Sequence, residues 1–162
     1  MRTTEETQGE IMRKIQELSL SKEELDWLDG WLNLFGSWIY SGRLEKRMSS
    51  VIAQYMATVE PSRYPERPMC NDDDGMLISQ VVDSVMCIDK KAFGILLSYY
   101  SHNSTKYAIA VYMQKVAIPR KSLSTCRREV EDILKASQFL IYTPLVNAFN
   151  SRKRVVKLRK VA

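Results

Sequence analysis

Apolar positions along the chain recur at intervals of three and four, the spacing of helices that bury one face. Residues 1–18 give only a thin stripe, Ile11, Ile15 and Leu18, so residues 1–20 are read as an N-terminal extension. The next stripe is far stronger: Trp27, Leu28, Trp31, Leu34, Phe35 and Trp38. Ser21 with Glu24 three residues later forms a capping box at its start, and Gly42 is placed to end it in a left-handed cap. Leu44, Met48, Val51, Ile52, Tyr55, Met56 and Val59 predict a second helix over 43–59, making 21–60 a helical hairpin. Pro61, Pro65 and Pro68 then remove donors and fix dihedrals, which predicts an extended linker over 61–71.

Four further stripes follow. Leu77, Ile78, Val81, Val82, Val85 and Met86 predict a helix over 75–88, and Phe93, Leu96, Leu97, Tyr99 and Tyr100 another over 90–101. His102-Asn103-Ser104 breaks the pattern. Ser104 or Thr105 then starts a helix over 105–115, with Tyr107, Ile109, Ala110 and Met113 on its apolar face. After a turn through Val116–Pro119, a long helix over 120–141 carries Leu123, Val130, Ile133, Leu134, Phe139 and Leu140. Pro144 predicts a bend, leaving a tail over 144–162. The fold expected is all-α: an N-terminal helical hairpin plus a helix-turn-helix domain over 72–143, with three short helices of which the last is entered by a tight turn.

Charge sharpens this picture. The 162 residues carry a net +5, but residues 1–105 hold 11 basic against 16 acidic side chains, and residues 106–162 hold 13 against 3. A basic half of this kind faces a polyanion or is a solvated surface with no partner; duplex DNA, with one charge per ~1.7 Å of axis, is the commonest polyanion. In a helix-turn-helix the first turns of the last helix enter the major groove. Here those turns hold Arg120, Lys121, Ser122, Ser124, Thr125, Arg127 and Arg128. Arginine can read guanine O6 and N7 together, while hydroxyls and lysine reach phosphates. Ser124, Arg127 and Arg128 fall on one helical face.

Other chemistry is sparse. Cys70, Cys87 and Cys126 are too scattered for a disulfide framework or a CxxC metal pair, and His102 is the sole histidine, so reduced thiols and no metal site are expected. Asp72, Asp73 and Asp74 invite a metal reading, but acids at a helix start cap its free N–H groups and suit its dipole. Neither a second carboxylate cluster nor a phosphate-binding glycine loop accompanies them, which argues against a nuclease or other enzyme. No apolar run approaches the roughly 20 residues of a membrane helix. MRTTEETQGE is too polar for a signal peptide, so a cytoplasmic protein is expected.

The stretch Cys70-Asn71-Asp72-Asp73-Asp74-Gly75, the Tyr99-Tyr100 pair closing a helix, the Ser104-Thr105 entry to the next, and the closing helix over 120–141 resemble, in that order, the phage antitermination Q proteins. Phe35-Gly36-Ser37-Trp38 resembles that family's aromatic-Gly-x-Trp segment. The resemblance spans residues 27–142 and is to short members without zinc. It implies a sigma-region-4-like helix-turn-helix and a non-enzymatic factor without cofactors, acting in the bacterial host cytoplasm. Such a factor binds double-stranded DNA beside a late promoter and loads onto paused host RNA polymerase holoenzyme holding its primary sigma factor. It then travels with the enzyme through terminators to switch on late genes. It also implies DNA reading on 120–128 and phosphate contacts from Lys106 and Lys115. Under it, Glu23, Glu24, Asp26 and Asp29 become candidates for polymerase contact. Arg152, Lys153, Arg154, Lys157, Arg159 and Lys160 become a tail that tracks DNA or the nascent RNA, and a second copy on the same DNA is a further candidate partner. The turn VAIPRKSLST is longer than the family's, leaving two starts open for the reading helix, Arg120 or nearer Ser124. The competing reading is a helix-turn-helix repressor or activator that does not travel with polymerase.

Overall fold

The structure, a computed structural model, describes residues 19–41 and 67–161, with side chains described to Arg154. The helices expected over 1–18 and 43–59, the Gly42 cap and the linker up to residue 66 lie outside the described residues. Those residues form five helices and no strand: α1 Lys22–Tyr40, α2 Asp72–Met86, α3 Lys90–Tyr100, α4 Lys106–Val116 and α5 Leu123–Val161. No helix among them is long and apolar enough to cross a membrane.

Each start has a local cause. Ser21 and Glu24 complete their capping box reciprocally, and those hydrogen bonds hold the Glu24 carboxyl below its ordinary range. Asn71, rather than the aspartates after it, caps α2: its side chain accepts from the Asp74 amide at 2.8 Å. The three acids lie one step later, in the first turn, where the helix dipole favours negative charge. Asp89 and Thr105 cap α3 and α4 in the same manner.

The five helices share one apolar core. Leu28, Leu32, Phe35 and Trp38 of α1 pack in it with Ile78 and Val82 of α2, Phe93, Leu96 and Leu97 of α3, and Val130, Leu134, Ile141 and Leu145 of α5. Trp38 is fully buried, Trp31 half-buried and Trp27 37% exposed, so the three tryptophans are not equivalent. The Trp38 indole N–H donates to Asp72 at 2.9 Å, and its ring lies where a Cβ on Gly75 would stand. Gly36 faces the Tyr100 carbonyl just as closely. Both glycines are required by contact between helices, not by backbone conformation.

Tyr100 joins three helices. Its hydroxyl donates to Asp29 of α1 at 2.8 Å and accepts from the Gln138 amide of α5 at 2.7 Å. Burial pushes that hydroxyl above the ordinary tyrosine range. Arg67 closes the end of α3 by donating to the Tyr100 and Ser101 carbonyls at 3.3 and 2.7 Å. His102 packs edge-on against Tyr40 with ring centroids 5.5 Å apart, and burial, with the nearby Arg67 charge, lowers its titration.

The last helix differs most from expectation. It starts at Leu123 rather than 120, and it runs through Pro144 to Val161 instead of ending at 141 in a bend. Proline removes one internal hydrogen bond and crowds the carbonyl four residues earlier. Here Pro144, Thr143 and Leu140 are exposed, so the freed Leu140 carbonyl is on the solvent side. The opposite face supplies the compensation. Leu145 and Phe149 are buried, and Phe149 lies 4.8 Å from the Trp31 ring and 6.0 Å from Trp27. Tertiary packing of an apolar face outweighs local propensity.

Candidate nucleic-acid interface

Helix α4, the turn over 117–122 and the start of α5 form the predicted helix-turn-helix. Ile109 and Ala110 of α4 and Cys126, Val130 and Leu134 of α5 point into the core, which fixes what the two helices turn outward. Ser122 caps α5: its hydroxyl accepts from the Thr125 amide at 3.2 Å and meets the Thr125 hydroxyl at 2.9 Å. This decides between the two open starts. Arg120, Lys121 and Ser122 belong to the turn; Ser124, Thr125, Arg127 and Arg128 belong to the first turns of the helix.

Of this group, Arg120, Ser122, Ser124, Thr125, Arg127 and Arg128 are exposed. Among the described residues none of the three arginines is ion-paired with a carboxylate. The Arg127 guanidinium lies over the Tyr107 ring, 5.8 Å from its centroid, within the range of a cation–π contact. Lys106 and Lys115 sit at the two ends of α4, both exposed.

Lys121 behaves differently. Its Nζ is 2.7 Å from Glu129, which also draws Lys91 from the start of α3 at 3.5 Å. The hydrogen bond to Lys121 and the charges of both lysines hold the Glu129 carboxyl below its ordinary range; the same hydrogen bond holds Lys121 above its own. Gln114 approaches the Lys121 carbonyl at 3.5 Å, so the turn is tied to both helices. Nothing in the apolar pattern announces Glu129; it is visible only once α5 is known to begin at Leu123.

Around the arginines lies an apolar fringe. Tyr107, expected on the inner face of α4, is 55% exposed, and Tyr112, Val116 and Ile118 are exposed with it. The helix turns its Ile109–Ala110 edge inward instead, which carries Tyr107 out beside Arg127.

The remaining candidates are scattered. Glu23 and Asp26 are exposed on α1, whereas Glu24 is held in its capping box and Asp29 by the Tyr100 hydroxyl. Arg152 is ion-paired with Asp74 and lies over the Phe149 ring at 5.0 Å. Lys153 and Arg154 are exposed on the same helix; the side chains of Lys157, Arg159 and Lys160 lie outside the described ones. The free thiols are Cys70 and Cys126, both buried, and Cys87, exposed. Among the described residues no group of His, Cys, Asp and Glu could hold a metal ion.

Residues 25–140 match the family of phage antitermination protein Q. Among solved structures, transcription antitermination factor Q21 in complex with Q21-binding-element DNA is 62% identical, with a TM-score of 0.79 over 85% of this chain and 99% of that one. The selenomethionine derivative of that factor is 65% identical, with a TM-score of 0.80 over 86% and 98%. The crystal structure of the bacteriophage 21 Q protein is 62% identical, with a TM-score of 0.76 over 84% and 99%. No curated protein sequence matches the chain.

Proposed function

The chain belongs to the phage antitermination protein Q family, and from that premise we propose that it binds duplex DNA at a late promoter through α4, the turn and the start of α5. It then loads onto promoter-proximally paused, sigma-containing host RNA polymerase and carries the enzyme through terminators. The observation that carries the DNA half of this reading is the outward display of Arg120, Arg127 and Arg128 beside three hydroxyls, along the turn and the start of a helix whose other face is locked into the core. A protruding, rigid, cationic helix start is what groove entry requires. The similarity to a factor whose structure contains its DNA element supports the same reading.

Within it, Arg127 and Arg128 read base edges, Ser122, Ser124 and Thr125 meet phosphate or base, and Arg120, Lys106 and Lys115 hold the backbone on either side. Exposed Glu23 and Asp26 are the α1 residues open to polymerase, and Lys153 and Arg154 those open to DNA or transcript at the far end of α5. No step in this activity asks the chain to make or break a covalent bond, and it acts where host polymerase acts.

Two assays test the reading. Run-off transcription on a late-promoter template with a downstream terminator should show read-through that depends on the protein; binding without read-through would make it a simple repressor or activator. Arg127→Ala should cost roughly 1–3 kcal/mol in specific binding and little on scrambled duplex. An equal, small loss on every sequence would demote Arg127 to a phosphate contact.

A further inference from the structure

The first turns of α5 carry three acids, Glu129, Glu131 and Asp132, and among the described ion pairs only Glu129 is drawn to basic side chains of the helix-turn-helix and its neighbour α3. From residue 106 to residue 130 Glu129 is the only carboxylate. It lies one helical turn beyond Thr125, and its side chain is 28% exposed. A carboxylate there repels phosphate. Yet it is not idle, since it holds Lys121 at 2.7 Å and Lys91 at 3.5 Å, and these lysines come from the turn and from the start of α3.

We infer that Glu129 is a specificity-determining residue of the DNA-reading unit: acting as an internal stand-in for phosphate, it keeps Lys121 and Lys91 engaged with the protein and so lowers affinity for duplex of arbitrary sequence. The inference rests on the DNA-binding reading above. Its physical basis is the origin of sequence-independent affinity. Each lysine that neutralises a phosphate releases condensed counterions and steepens the salt dependence by about 0.9 in log–log slope. A lysine already neutralised by a carboxylate brings no such gain. Specificity is a difference between two affinities, so suppressing the background raises it without any new contact to a base. The geometry adds a second effect: Lys121 is tethered to α5 through Glu129, and its carbonyl is approached by Gln114 of α4. The turn is therefore held at both sides.

The test uses full-length protein, a duplex selected from random-sequence DNA by the wild type, and a scrambled duplex of equal length. Glu129→Gln keeps the side chain's shape and removes its charge. Binding to the scrambled duplex should tighten severalfold, its salt slope should steepen by about one to two, and the ratio of selected to scrambled affinity should fall. Adding Lys91→Met and Lys121→Met to Glu129→Gln should cancel most of that gain. An unchanged salt slope in Glu129→Gln overturns the inference. So does a gain that survives removal of both lysines, which would be mere loss of long-range repulsion. If thermal melting shows that Glu129→Gln does not fold, Glu129→Asp serves in its place. That change withdraws the carboxylate by one methylene, and it should shift slope and ratio the same way by a smaller amount; no shift overturns the inference. Failure of the DNA-binding reading looks different: the wild type then selects no duplex at all.

Discussion

Removing a single oxygen, in Tyr100→Phe, tests how the helices are joined beneath the proposed DNA-binding surface. The phenol is 2% exposed and its hydroxyl bridges Asp29 and Gln138 at 2.8 and 2.7 Å. Phenylalanine keeps the ring packing and deletes both hydrogen bonds. The two partners fare differently. Asp29 is half-buried and can turn to water, so its loss is small. Gln138 is 9% exposed, and its amide donor stays behind without this acceptor. Leaving a buried donor unsatisfied costs about 1–3 kcal/mol, against about 0.5–1.5 for an ordinary hydrogen bond. The expected destabilisation is therefore about 2–3 kcal/mol, or a drop of roughly 4–12 °C in melting midpoint for a chain of this length. Urea titration should show a lower midpoint with an unaltered slope. The companion variant Tyr100→Phe with Gln138→Met removes the orphaned donor and should recover about half of the loss. A single variant within about 0.5 kcal/mol of wild type, near the scatter of a neutral surface change, would refute the assignment of Tyr100 as a hub. A double variant no better than the single would refute the reason given for it.

Close contacts and thiol burial each give a direct check. Gly36→Ala drives a methyl group into the Tyr100 carbonyl, and Gly75→Ala one into the Trp38 ring, so each should destabilise by ~1–3 kcal/mol or more. Gly30→Ala meets nothing within 4 Å and should be neutral or stabilise by up to about 1 kcal/mol, all read by thermal melting. At neutral pH iodoacetamide should label Cys87 alone in the folded protein, as peptide mass spectrometry would show; rapid labelling of Cys70 or Cys126 would contradict their burial. Burial raises the Cys70 thiol from 9.0 to about 11, so the folded state holds a proton that the unfolded chain releases. Its contribution to stability is whole below pH 9 and declines as pH rises towards 11.

What could be read in advance was local. The Ser21–Glu24 capping box and the apolar stripes around Trp38, Ile78 and Leu96 depend on residues a turn apart, so the helix count over the described residues and the helix-turn-helix outline came through. Three features depended on distant partners and did not. Pro144 predicts a bend because proline disrupts isolated helices, and the burial of Leu145 and of Phe149 against Trp31 and Trp27 explains why α5 continues. Tyr107 fits the inner face of α4 by its spacing from Ala110, yet the Ile109–Ala110 edge won the core and left the ring beside Arg127. Lys121 looked like a free cation because Glu129 is eight residues away, two helical turns once the chain has rounded its bend. Arg152 likewise looked available until α2 brought Asp74 against it.

The unbroken course of α5 makes it a gauge. From Ser124 to Arg152 the axis advances about 42 Å at ~1.5 Å per residue. Whatever meets the far basic end therefore stands about 42 Å from whatever meets the near one. Inserting a single residue between them would swing one end by about 100° relative to the other. Partners at the two ends are thus set in phase by helix length alone.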